Sequence, residues 1–168
     1  MTGVQLAVSF ADFGLPEGFD RAATAAGDMT DLMDSIGSVL INGARERIGV
    51  TNVSPDGVAW PKSMRAKEVG GPTLHDSGRL MASISSEAAP DHVKVGSNMI
   101  YAGVHQTGAT ITAKNGNALS FTLANGEQVV VGSVTIPARP YLGISEEERA
   151  QIEDVTLVHF NGLLGGDR

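Results

Sequence analysis

Between Asp28 and Ile48 apolar residues recur at spacings of three and four, through Met29, Leu32, Met33, Ile36, Val39, Leu40 and Ala44. That period predicts a helix with one apolar face. Asp28 stands where an N-cap belongs, and Asp31 and Asp34 suit the positive end of the helix dipole. Arg45 and Arg47 fall in the last turn, and Gly49 is placed to end it. The face is expected to meet the domain core, with another subunit as the alternative. The pattern then dissolves from Val50 to Pro72, around the turn signal Ser54, Pro55, Asp56 and Gly57. This reads as a long loop and a candidate contact surface. Trp60, the single tryptophan, either pins that loop to the core or stands at an interface.

A short helix is expected from Leu74 to Ile84, capped by Ser77, with Leu80 and Ile84 on one face. The period then changes to two, which predicts strands at Ser85–Ala89 and Asp91–Gly96, with Val93 and Val95 alternating against His92 and Lys94. A second short helix fits between Ser97 and Gly108. From Ala118 to Val134 the alternation of Leu119, Phe121 and Leu123 runs into Asn125 and Gly126, a strong hairpin signal. A valine-rich return strand follows at Glu127–Val131, with Gly132 as a bulge before Val134 and Ile136. This hairpin is expected to project as an assembly arm, the alternative being that Phe121 and Val130 join the core. Ser145 and Glu148 form a capping box for a last helix holding Ile152, Val155 and Val158, and residues 165–168 read as a frayed tail.

The elements describe an α+β fold: an antiparallel sheet with a long β-hairpin, packed against an N-terminal and a C-terminal helix. The chain has 168 residues, 42% of them hydrophobic, which suits a single domain spanning 1–168. Residues 1–27 have no assigned structure. With 21 glycines and 5% aromatics, the core must rest on aliphatic side chains and methionine. A net charge of -7 argues against a surface devoted to nucleic-acid phosphates, and no sequence-specific nucleic-acid contact is expected. Lys62, Arg65 and Lys67 make one small basic cluster, read as a solvated loop. No cysteine is present, which excludes disulfides and thiolate metal sites and fits synthesis in the cytoplasm. The first residues lack the basic and apolar regions of a signal peptide, and no apolar run approaches the roughly 18 residues of a membrane span.

Candidate chemistry is sparse. His75, Asp76 and Ser77 are the residue types of a hydrolase triad, but immediate neighbours rarely converge their side chains. His75, His92, His105 and His159 show no metal-ligand spacing, and no phosphate-cradling glycine loop occurs. No catalytic, cofactor-binding or metal residue is assigned, and no cofactor is expected. Pro137 and Pro140 stiffen the backbone on both sides of Ala138 and Arg139. The guanidinium of Arg139 is thereby aimed at a carboxylate or a backbone carbonyl, or at solvent.

Four strings occur in order: SPDGVAWP at Ser54–Pro61, LHDSGRLMASI at Leu74–Ile84, YAGVHQTG at Tyr101–Gly108 and VTIPARPYLGIS at Val134–Ser145. Together they resemble the phage virion morphogenesis, or tail-completion, family of Mu-like phages. The blocks cover about half the chain, and IPARPYLG is the most specific. The resemblance implies a structural virion protein of the neck or tail top. Such a protein completes the tail and helps join it to the head as a ring of itself, commonly hexameric, touching tail-tube and neck proteins. It implies no enzyme activity. The alternatives are a virion-associated hydrolase and a transient assembly chaperone. The candidate assembly or structural residues are Trp60, Arg79, Tyr101, His105, Phe121, Asn125, Gly126, Arg139 and Tyr141.

Overall fold

The computed structural model describes residues 4–9, 28–114 and 118–164. The expected tail at 165–168 and most of the N-terminal segment lie outside them. The fold is α+β. Helix α1 (Thr30–Glu46) buries Leu32, Met33, Ile36, Leu40 and Ala44, the stripe its period predicts. Two boundaries differ from expectation. Met29 holds the N-cap position, and Asp28, one residue earlier, accepts from the Thr30 amide at 2.9 Å and from its hydroxyl. Gly49 does not end the helix, which continues as a wide π turn over Arg47–Thr51. Asn52 ends it in the left-handed region (φ 56°), donating its amide to the Arg47 carbonyl at 3.0 Å. Asparagine tolerates that conformation better than most residues.

Strands β1 (Val4–Ser9), β2 (Ile84–Ala88) and β3 (His92–Ser97) form an antiparallel sheet in the order β1-β3-β2. The sequence reading assigned no strand to β1. Val93 and Val95 point inward and meet Ile84 and the buried face of α1. The loop after the π turn has more structure than expected. A single-turn helix α2 (Met64–Glu68) is capped by Ser63, whose hydroxyl accepts from the Ala66 amide at 3.2 Å. Arg65 ties the rest together through the carbonyls of Gly70, Pro72 and His75.

Helix α3 covers only Arg79–Ala82. Ser77 does not cap it: Gly78 occupies that position at φ 76° and breaks the expected longer run, and Ile84 already belongs to β2. Helix α4 (Ala102–Thr107) ends at Gly108, as its sequence indicates. Helix α5 (Glu146–Leu164) packs on α1 and buries Ile152, Thr156 and Phe160. Val158 is exposed, contrary to expectation. Six positions beyond Ile152 lies about 120° around the helix from it, on the side away from Thr156 and Phe160, given 3.6 residues per turn.

Residues 109–136 form a two-stranded ribbon longer than the predicted hairpin. Strand β4 (Ala109–Thr112) pairs with β7 (Ser133–Ile136), and β5 (Leu119–Thr122) pairs with β6 (Gln128–Val131). Residues 133–136 therefore do not continue the β5–β6 hairpin past a bulge at Gly132. They pair with a strand the sequence reading missed. On the return side Gly132 alone separates the two ladders, while on the outgoing side β4 ends at Thr112 and β5 begins at Leu119. The tip also differs from a two-residue Asn-Gly turn. Leu123 and Glu127 close it at 2.8 Å, the Gly126 amide reaches the Leu123 carbonyl at 3.0 Å, and only Gly126 has positive φ (86°). A two-residue type I′ turn needs positive φ at Asn125 as well, so the loop is the three-residue form with glycine in the left-handed position.

Candidate assembly site

The segment after the ribbon threads between α4, the Trp60 loop and the α1–α5 junction, and it gathers most of the residues singled out in the sequence. Pro137 and Pro140 hold it extended, so its polar backbone must find partners outside any sheet. The Arg139 amide donates to the His105 carbonyl at 2.7 Å. Gln106 supplies the rest: its Oε1 accepts from the amides of Tyr141 (3.1 Å) and Leu142 (3.0 Å), and its Nε2 donates to the Leu142 carbonyl at 2.9 Å.

Tyr141 is fully buried, with its hydroxyl donating to the Ala102 carbonyl at 3.3 Å. Burial, and secondarily the nearby Tyr101 phenol, push its ionisation up to about 12. Tyr101 lies at the surface with its ring edge-on to His105 at 5.9 Å. His105 is half-buried and its Nδ1 has no hydrogen-bond partner. Burial first, and the Arg139 charge second, hold its pKa below the usual histidine value, favouring the uncharged ring. Trp60 is buried in the core cluster, its indole Nε1 also without a partner. Arg139 is 5% exposed and donates from Nε to the Pro61 carbonyl at 2.8 Å. Its partner is thus a backbone carbonyl, one of the two kinds of partner expected from the sequence. Burial lowers its pKa from the ordinary arginine value.

Arg79 is exposed on α3. Phe121, Asn125 and Gly126 sit on the distal half of the ribbon, where Phe121 faces Val129 and the Asn125 side chain accepts from the Glu127 amide at 2.9 Å. His75 and Asp76 do not converge as a catalytic pair: Asp76 is exposed and its carboxylate lies 3.7 Å from Arg65 Nε. Among the described residues no cluster of potential metal ligands occurs and no helix is long and apolar enough to cross a membrane.

Sequence reasoning missed a buried ion pair beneath this segment. Arg47 donates from Nη1 to Glu148 Oε2 at 2.9 Å, from Nε to the Tyr141 carbonyl at 2.9 Å, and from Nη2 to the Gly143 carbonyl at 3.2 Å. Glu148 closes its capping box as predicted, accepting from the Ser145 amide at 2.7 Å while its own amide reaches the Ser145 hydroxyl at 3.2 Å. The same carboxylate therefore caps α5 and neutralises α1. Its other oxygen, Oε1, has no hydrogen-bond partner and rests against Gly43, where a Cβ would lie 1.5 Å away. A signal was available: Arg47 lies three positions past Ala44, on the apolar stripe of α1, where a charge requires a buried partner.

The ribbon carries apolar pairs that the core does not cover. Leu119 and Val131 pair across it, as do Phe121 and Val129, and nearer the root Ile111 pairs with Val134. No described residue from 109 to 136 is buried, and none belongs to the core cluster.

Residues 13–161 match the model of the phage virion morphogenesis family. The chain is 31% identical over 137 residues to Mu-like prophage FluMu G protein 2 of Haemophilus influenzae, a match covering 81% of this chain and 82% of that protein. No solved structure matches the chain. A family match running through nearly all the described elements, supported by a relative of the same length range, establishes that the chain belongs to the phage virion morphogenesis family.

Proposed function

We propose that this structural protein acts at the neck or tail top of the virion, completing the tail and helping to join it to the head as a hexameric ring. Its neighbours in this reading are its own copies, the tail tube and the neck or head-completion proteins. The observation that carries the reading is the ribbon. An isolated two-stranded ribbon is at best marginally stable in water, and this one presents paired apolar side chains that its own core leaves uncovered. A neighbouring subunit that covers them stabilises the arm and, repeated around an axis, closes a ring without leaving strand edges free. The acidic surface, at net charge -7, suits protein contacts better than DNA wrapping.

The measurement that tests this is the copy number in purified particles. A hexameric ring requires about six copies per virion. One or two copies would refute the ring, and complete absence from finished particles would favour a chaperone that assists assembly and leaves.

A further inference from the structure

Asparagine followed by glycine occurs four times in the chain, at Asn42, Asn115, Asn125 and Asn161. The pair is chemically special because a glycine amide, with no side chain on its own Cα, can approach the side-chain carbonyl carbon of the asparagine before it. That approach needs a backbone free to rotate and an amide released from its hydrogen bond, so the fold decides which pairs react. Asn42 and Gly43 lie in the interior of α1, where the backbone angles are fixed and each amide is engaged along the helix. Asn161 is exposed but stands in the helical backbone of α5, and Asn115 lies outside the described residues. Among the described pairs, Asn125 alone stands in a turn. Both Asn125 and Gly126 are exposed, and a Cβ built on Gly126 would meet nothing within 4 Å. The Gly126 amide is held by one turn bond, to the Leu123 carbonyl at 3.0 Å. Asn125 Oδ1 accepts from the Glu127 amide at 2.9 Å, which draws electrons from the side-chain carbonyl and leaves its carbon more open to attack. A nucleophile that is freed by breaking one bond at an exposed loop tip thus adjoins an activated electrophile.

We propose that Asn125 is a site of spontaneous covalent modification, at which the Gly126 amide attacks the asparagine side chain. Hydroxide takes the Gly126 amide proton and the nitrogen bonds to Asn125 Cγ. The bond from Cγ to Nδ2 breaks, and the departing nitrogen takes a proton from water and leaves as ammonia, which returns the hydroxide. The product is a cyclic imide. Water then adds to one of its two carbonyls: one opening gives aspartate, and the other gives isoaspartate, in which the chain runs through the side-chain carbon. No oxidant or reductant takes part. Either product puts a new carboxylate two residues from exposed Glu127. Isoaspartate also adds an atom to the backbone of a loop closed by Leu123 and Glu127, and so alters the spacing at the arm's tip. The chemistry holds whether or not copies of the chain assemble.

The test incubates the full chain at mildly alkaline pH, folded and in urea, and follows each pair by peptide mass mapping with fragmentation. Cleavage after lysine and arginine leaves Asn115 and Asn125 on one peptide, so an Asn115→Gln variant is run beside wild type to assign the signal. In the folded chain Asn125 should convert at least about tenfold faster than Asn42, yielding both aspartate and isoaspartate. In urea, where no helix holds Gly43, the two should convert at similar rates. The Asn125 signal should persist in Asn115→Gln. Asn42 converting as fast as Asn125 in the folded chain overturns the proposal. An Asn125 that stays intact when folded but converts in urea overturns it too, because the turn then protects its amide. A signal that vanishes in Asn115→Gln assigns the reaction to Asn115 and likewise overturns it.

Discussion

Replacing Gly43 with alanine should destabilise the protein, although helix propensity alone predicts the reverse. Gly43 lies inside α1, where alanine is favoured over glycine by about 1 kcal/mol. The added Cβ, however, would sit 1.5 Å from Glu148 Oε1 and 2.5 Å from its Cδ. A glutamate at the surface could swing aside at little cost. This one is held by Arg47 Nη1 at 2.9 Å and by the Ser145 amide at 2.7 Å, with both side chains of the ion pair buried. Displacing it leaves a buried guanidinium without its counter-charge, at a cost of about 3–5 kcal/mol. Subtracting the propensity gain leaves a net loss of about 2–4 kcal/mol. Urea denaturation of wild type and Gly43→Ala reads this directly as a shift in midpoint at unchanged slope. The comparison is sharpened in a Glu148→Ala background, where no carboxylate remains to be displaced. There Gly43→Ala should be neutral or stabilising by up to about 1 kcal/mol, a strong departure from additivity. If Gly43→Ala is as stable as wild type with Glu148 present, the carboxylate is not fixed by Arg47 and the argument is wrong.

Tyr141 predicts an alkaline limit. Its folded pKa of about 12 lies above the ordinary tyrosine value of 10.0, so its contribution is fully present below pH 10 and is lost as pH rises through 12. The stability difference between wild type and Tyr141→Phe should therefore narrow or reverse by about 2–3 kcal/mol over that window, and a difference that stays constant with pH would count against a buried phenol. Shortening the ribbon symmetrically around Asn125, by removing residues 119–131, should leave the circular dichroism and melting of the domain near wild type while abolishing tail joining. Unfolding of that variant would place the ribbon within the core.

The parts of the fold that were readable from sequence are those whose signal is local. The apolar stripe of α1, the alternation of Val93 and Val95, and the Ser145–Glu148 box each lie within a few residues and needed no distant partner. What escaped was non-local. Strand β1 is short, and its partner β3 stands far along the chain. Strand β4 reads Ala-Thr-Ile-Thr, with too few apolar positions to announce itself before β7 is known to pair with it. Arg47 looked like a charge suited to a helix C-terminus, and only the return of Glu148 from the other end of the chain makes it a buried pair. At the candidate site, the proline spacing around Arg139 indicated rigidity, but the choice between carboxylate and carbonyl depended on where the Trp60 loop settles. The left-handed stop at Asn52 was hidden by the more obvious glycine three residues earlier.

The interruption halfway along the ribbon has a consequence for solubility before assembly. An exposed strand edge is a template on which another chain can add a strand, and a long unbroken edge invites fibrous growth. Here each ladder contains only four residue pairs, and the two are unequally spaced on their two sides, Gly132 alone standing between β6 and β7 while β4 ends at Thr112 and β5 begins at Leu119. A foreign strand aligned with one ladder is therefore out of step with the other, and can make only the few backbone hydrogen bonds of a single short segment. The arm can stay apolar and partly unpaired before assembly while itself offering an added strand no edge longer than four residues.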